Sequence, residues 1–187
     1  MHLEDGKLFF INGAGHDTFE GQLPPMNDSK IFARATLIQL RQVWKARGEV
    51  VVWTNGCFDL LHVGHIRSLK ASRALGDRLI VGINSDASIR RLKGAGRPVI
   101  GQDERCEIVA ACGFVDAVML FDEDTPEESL RCLQPDIHCK GADYMPPHGK
   151  PIPEKKLVEA YGGRVAFLPI LSGFSTSSLI QKIRSDE

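Results

Sequence analysis

The chain has 187 residues, 43% hydrophobic and 25% charged, with a formal net charge of −1. This is the make-up of one globular domain with a sizeable core and a short appendage. It excludes a nucleic-acid-coating or membrane-seeking surface, so no nucleic acid and no membrane is expected as partner and a polyanionic ligand must be met by locally gathered positive groups.

In chain order, residues 1–29 read as an N-terminal extension. They carry Gly13, Gly15, Gly21, Pro24 and Pro25 and one β-prone patch, LFFI. The patch suits a loosely held terminus, with an added edge strand or a cover for a partner subunit as alternatives. The early acids, without a basic and then apolar run, do not read as a signal peptide.

Residues 30–187 form the domain. "IFARATLIQLRQVWKARG" is a helix with Leu37, Leu40, Val43 and Trp44 at helical spacing and Gly48 as its stop. "EVVVWT" is a buried strand, followed by "TNGCFDLLHVGHIRSL" and a helix to Gly76. "RLIVGI" is a second strand and "DASIRRLKG" a short helix. "DERCEIVAACG" puts Cys106, Val109, Ala110 and Gly113 on one face, and "AVMLF" is a third strand. "TPEESLRCL" is a helix in which Thr125 and Glu128 form a capping box with Pro126 at the first helical position. "DIHCKG" and "RVAFLPI" are the last two strands, alternating with the helices "EKKLVEAYGG" and "STSSLIQKIR". No apolar run reaches the length of a membrane span. Cys57, Cys106, Cys112, Cys132 and Cys139, odd in number and without a CxxC spacing, read as reduced cysteines of a cytoplasmic protein, not as a disulfide or zinc framework.

Short strands alternating with helices imply an α/β fold, a parallel five-stranded sheet with helices on both faces. Ligands of such sheets bind beyond the carboxyl ends of the strands, where the strand order switches. The informative residues are then Thr54 to His65, Asn84 to Asp86, Lys140 to Tyr144 and Ser172 to Ser178. His62 and His65, three apart at the start of a helix, share a face and can address one ligand. The helix N-terminus adds unpaired N–H groups and partial positive charge, a setting for phosphate. Gly64 allows close approach to the backbone, and Gly56 serves the turn. The pair lacks the i,i+4 spacing and glutamate of a metalloprotease helix, and no metal site is expected.

A strand ending in TNGCFD and running into HVGH resembles the HxGH nucleotidyltransferases, among them cytidylyltransferases and several adenylyltransferases. The stretches "RLKGAGRPV", "ER" at 104–105, "VDAVMLFDEDTP", "PDIHCKGADY" and "STSSLIQKI" are similar to the heptose-1-phosphate adenylyltransferase group, over Lys30 to Arg184. The resemblance implies a Rossmann-like HxGH nucleotidyltransferase fold, and attack of a sugar 1-phosphate on the α-phosphorus of ATP with release of pyrophosphate. It also implies a homodimer, and a domain that in this group stands alone or is fused to a sugar kinase. With no room here for the kinase, a free-standing enzyme is expected.

Residue by residue, the resemblance implies that His62 and His65 contact the α- and β-phosphates and that Lys93 reaches them from a mobile loop. Thr54, Asn55, Gly56, Cys57 and Phe58 form the turn beneath, together with Gly64. Ser175, Thr176 and Ser177 hold the outer phosphates; Ser177 stands where a second threonine is usual, and Ser175 to Ser177 also suit a helix cap. Lys140, Gly141, Asp143 and Tyr144 face base, ribose or acceptor. Asp59, Asn84, Asp86, Arg97 and Arg105 are candidates for acceptor contact, against structural roles as turn former, cap or ion-pair partner; Asp59 could also orient a histidine. His138 and Cys139 read as core. The run EDTP at 123–126 is assigned to helix capping, without chemistry. Mg²⁺ is expected as counter-ion of the triphosphate, held mainly by phosphates and water. The alternatives are a cytidylyltransferase for glycerol 3-phosphate or another alcohol phosphate, and a catalytically silent nucleotide-sensing module.

Overall fold

A computed structural model describes residues 2–4, 7–9, 21–22, 30–169 and 173–185. In the extension, β1 (His2–Glu4), β2 (Lys7–Phe9) and β3 (Gly21–Gln22) pair antiparallel in a small sheet of their own. The β-prone patch thus enters β2, not the edge of the main sheet; its Phe10 and Ile11 lie outside the described residues.

The main sheet follows the alternation of the sequence. After α1 (Arg34–Ala46) come β4 (Val51–Gly56), α2 (Val63–Arg73), β5 (Arg78–Asn84), α3 (Asp86–Lys93), α4 (Gln102–Ala110) and β6 (Ala117–Phe121). Then follow α5 (Glu127–Leu133), β7 (Ile137–Gly141), α6 (Lys155–Ala160), β8 (Arg164–Leu168) and α7 (Thr176–Ser185). Every pairing is parallel and the strand order is β6-β5-β4-β7-β8. The order therefore reverses between β4 and β7, the place where such a sheet opens a crevice at its carboxyl end.

Both faces are covered. Val52, Leu79, Val81 and Val118 pack with Leu69 of α2 and Cys106 and Val109 of α4. On the other face Val51, Trp53, Ile80 and Met119 pack with Leu37 and Trp44 of α1, Leu130 and Leu133 of α5 and Val158 of α6. Trp53 fits because Gly82 lies beneath it on β5: a Cβ there would stand 2.4 Å from the indole.

Three local expectations are corrected. Val43 is exposed on α1, and Arg41 takes the buried place, because its guanidinium reaches the Gln134 carbonyl and the Asp136 carboxylate at 3.0 and 3.1 Å. Gly113 lies beyond the end of α4, whose buried face carries Arg105, Cys106 and Val109. The Thr125–Glu128 capping box does not form: Pro126 occupies the cap position of α5, which makes no side-chain cap bond, and Thr125 stands one residue outside.

Candidate active site

Beyond β4 the chain makes a tight turn in which Phe58 and Leu60 both take left-handed conformations, φ 48° and 52°. Such conformations cost non-glycine residues about 1–2 kcal/mol each, so the turn needs an anchor. Asp59, between them and buried, supplies it. Its carboxylate accepts from the amides of Val99 (3.0 Å) and Ile100 (3.1 Å) and from Arg97 Nε at 2.7 Å. Its carbonyl accepts from Thr176 Oγ1 at 2.6 Å. Burial pushes the Asp59 carboxyl up, but the Val99 and Ile100 amides and the Arg97 guanidinium outweigh it and hold it below the usual carboxylate range. One residue, through its carboxylate and its carbonyl, thus joins the turn, the segment after Lys93 and the start of α7.

The two histidines follow. His62 is the N-cap of α2: its Nδ1 accepts from the Gly64 amide at 3.1 Å, while the His62 amide donates to His65 Nδ1 at 3.4 Å. The expected shared face is real, and the rings stack with centroids 3.9 Å apart. Burial, with the neighbouring His62 ring adding to it, brings His65 down to about 4, and burial lowers His62 as well. Both rings are then neutral at pH 7. With each Nδ1 accepting from the backbone, each carries its proton on Nε2, leaving two N–H donors at a helix N-terminus.

A cavity of about 680 Å³ opens over this turn. Thr54, Asn55, Gly56, Cys57, Phe58, Asp59 and His65 form its floor. Asn84, Lys93 and Arg97 stand on the β5 side, Lys140, Gly141 and Tyr144 on the β7 side, and Ser175, Thr176 and Ser177 at its rim. Lys93 ends α3 and is exposed, with no carboxylate partner among the described residues. Ser175 Oγ accepts from the Ser178 amide at 3.0 Å, so its capping role is present.

Some expected residues are elsewhere. His62 and Gly64 are not among the residues that line the cavity, although the His62 ring stacks on that of His65, which is. Asp143 pairs with Lys150 at 2.6 Å, off the cavity wall. Ser85, not Asp86, caps α3. Asp86 pairs with Arg105 at 2.8 Å, and Arg105 is fully buried. The Arg105 guanidinium also donates to the carbonyls of Asn84 (2.8 Å), Ile100 (3.1 Å) and Cys57. Arg105 and Asp86 therefore tie the loops beneath the cavity together, and acceptor contact gives way to that role. Arg97 bridges to Asp59 but remains on the wall.

Sequence reasoning missed several wall residues. Glu154, buried in a loop before α6, accepts from Lys140 Nζ and from His138 Nε2 (3.1 Å). Burial raises its carboxyl, but the His138 and Lys140 bonds more than offset this and hold it down to about 2. Only the fold could reveal it, since a single acid before a short helix looks solvated. Cys139 belongs to the core and also reaches the wall. Asp124, Thr125 and Pro126 line the cavity from the end of β6; their position directly after a strand was the available signal. Among the described residues no three His, Cys, Asp or Glu side chains gather to hold a metal ion. A protein-built magnesium cage thus does not fit these residues. Nor, among them, is any helix long and apolar enough to cross a membrane.

A parallel sheet of this strand order, with a histidine-bearing helix N-terminus at its switch point, defines an α/β fold of nucleotidyltransferase architecture. Pantoate-β-alanine ligase from Francisella tularensis shares that fold at 12% identity and TM-score 0.50, over 82% of this chain and 76% of its own. The chain belongs to the cytidylyltransferase-like family, whose profile matches residues 53–182. It is similar to the bifunctional protein HldE of Syntrophotalea carbinolica, 52% identical over 83% of this chain and 31% of that protein. It is also similar to that of Geobacter sulfurreducens, 47% identical over 95% of this chain and 33% of that protein. The chain thus spans about a third of these relatives' length. A lipopolysaccharide core biosynthesis protein from Thermoplasma volcanium matches at 28% identity and TM-score 0.54, over 66% of this chain and 98% of its own.

Proposed function

We propose that this chain is an adenylyltransferase that joins a sugar 1-phosphate, D-glycero-β-D-manno-heptose 1-phosphate, to the AMP of ATP, giving ADP-heptose and pyrophosphate. The observation that carries the reading is the stacked His62–His65 pair at the start of α2, with Lys93, which has no carboxylate partner among the described residues, on the wall of the same cavity as His65. Similarity to the HldE proteins and to a lipopolysaccharide core biosynthesis protein supports the choice of acceptor.

A phosphate monoester is largely dianionic at neutral pH, its second pKa lying near ~6. The acceptor is therefore already a nucleophile and needs no general base. The site has to bring two anions together in line and stabilise charge on the transferring and departing groups. His65 Nε2–H, the α2 N-terminus and Lys93 serve that task, and His62 fixes the ring of His65 as well as offering its own N–H. Cys57 is no nucleophile in this scheme, its thiol being pushed up by burial. Lys140, held by Glu154, and Tyr144 face the nucleoside; Ser175 to Ser177 hold the outer phosphates. Arg97 and Asn84 border the acceptor side. Mg²⁺, as counter-ion of the triphosphate, would be held mainly by phosphate oxygens and water and would supply charge neutralisation. A cytoplasmic homodimer completes the reading, with sedimentation as the check on assembly.

Pyrophosphate release with ATP or CTP, against heptose 1-phosphate and glycerol 3-phosphate, tests it. Turnover with ATP and the sugar is expected; turnover only with CTP replaces the reading with a cytidylyltransferase, as the family's description would favour. No turnover with any pair points to a nucleotide-sensing module. His62→Ala and Lys93→Ala are each expected to lower kcat about 10²–10³-fold. Parent rates in both would remove the proposed roles.

A further inference from the structure

The EDTP run supplies no side-chain cap to α5, yet its position is fixed by bonds from α3. Ser88 Oγ donates to the Glu123 carbonyl at 3.2 Å and accepts from Asn84 Nδ2 at 3.1 Å. Arg91 Nε donates to one Asp124 carboxylate oxygen at 2.8 Å. The start and the last turn of α3 thus hold the segment, and Asp124, Thr125 and Pro126 form the cavity wall on the β5–β6 side. Thr125 is exposed, and among the described residues its hydroxyl makes no hydrogen bond.

The two walls differ chemically. Across the cavity, Tyr144, Pro151 and Pro153 present flat, largely apolar surfaces beside Lys140, suited to a base and ribose. The lining residues of the β6 side, Asp124, Thr125 and Pro126, include no aromatic ring; they offer a hydroxyl unbonded among the described residues and a half-exposed carboxylate held by Arg91. Hydroxyl and carboxylate groups recognise polyols, since each can exchange hydrogen bonds with a sugar hydroxyl. With the nucleoside on the β7 side and its phosphates over the histidines, the acceptor reaches the α-phosphorus from the side of Lys93 and Thr125.

We propose that Thr125, with Asp124 beside it, forms the subsite for the hydroxyls of the acceptor, a polyhydroxylated sugar 1-phosphate. The proposal rests on the adenylyltransferase reading. Its test is steady-state pyrophosphate release by Thr125→Val and Thr125→Ser, varying heptose 1-phosphate at saturating ATP and then the reverse. The valine is isosteric and the position exposed, so folding is unaffected, which a melting curve checks. The KM for the sugar phosphate rises about threefold to tenfold in the valine variant, as for loss of one hydrogen bond. The KM for ATP stays within about twofold, and serine restores the parent value. An unchanged sugar-phosphate KM in an active valine variant overturns the subsite and leaves the adenylyltransferase reading intact. Equal rises in both KM values assign Thr125 to the nucleotide and overturn the subsite too. A parent that turns over no sugar 1-phosphate overturns both.

Discussion

The rings of His62 and His65 lie stacked at 3.9 Å, and each spends its Nδ1 on a backbone amide of the same helix start. The pair is thereby oriented before any ligand arrives, and both Nε2–H groups are fixed in tautomer. Orientation in advance is what electrostatic catalysis requires, because no reorganisation is then needed during the reaction.

His65 is held at about 4 against an ordinary value of 6.5 by burial first and by His62 second. A bound triphosphate favours its charged form and raises that value. NMR titration of the His65 ring is expected to show a midpoint near 4 in the free protein, moving up by about one unit or more with a non-hydrolysable ATP analogue. An unmoved midpoint would separate His65 from the phosphates. The same depression links to stability. The folded value lies below the unfolded one, so the contribution is complete above about 6.5 and is lost as pH falls toward about 4. Urea unfolding of His65→Asn should show a flatter pH dependence over that window than the parent.

Gly64 has no space for a side chain. A Cβ there would lie 2.9 Å from Cε1 and 3.0 Å from Nδ1 of His62. Gly64→Ala is expected to push the His62 ring off its stack and reduce kcat about tenfold to a hundredfold, the scale of a small misplacement. Alanine suits a first helical turn, and this offsets part of the cap bond lost with the displaced His62 ring, so Tm should fall only slightly. A variant with parent activity would show that the stack is dispensable.

Asp59 is expected to be costly to alter. Asp59→Asn removes the charge facing Arg97 while keeping the shape, and should lower stability by about 1.5–3 kcal/mol, as for a charged hydrogen bond. Because the folded value of Asp59 is depressed, the difference from the parent is full above the ordinary carboxylate value of 3.8 and disappears as pH falls below it. Urea titrations at two pH values measure this directly. A loss of activity larger than the loss of folded protein is also expected, since the segment carrying Lys93 is loosened.

Arg105 bonds three carbonyls and Asp86 from a fully buried position. Lysine cannot span that fork. Arg105→Lys is expected to cost about 2–3 kcal/mol, through acceptors left unpaired, with the KM values for both substrates little changed at a temperature where it is folded. A selective rise in the sugar-phosphate KM would return Arg105 to the acceptor site.

Periodicity and strand–helix alternation made the sheet and its ligand-binding end legible, and the HxGH spacing marked the helix start. Side chains whose partners are remote in sequence were not legible. Asp59 meets groups 38 to 41 residues onward, so the sequence left its role among turn, histidine and acceptor. The burial of Arg41 and Arg105 was not legible, because burial of an arginine depends on carbonyls that only the folded chain supplies. Thr125 failed as a cap because Pro126 took the cap position itself, a shift of one residue that local sequence does not decide. Glu154 gave no signal at all, since its importance lies in two partners, the Lys140 ammonium and the His138 ring, brought to it by β7.

The bond from Thr176 Oγ1 to the Asp59 carbonyl spans 117 residues. It places the start of the last helix against a turn made soon after the first strand of the main sheet. During synthesis, the strands, the histidine pair and the Lys93 segment can all assemble while α7 is still being made. The phosphate rim at Ser175 to Ser177 cannot. The sheet itself closes only with β8, at residue 168, so the sheet and the hydroxyl rim beyond it are completed within the same short stretch of chain.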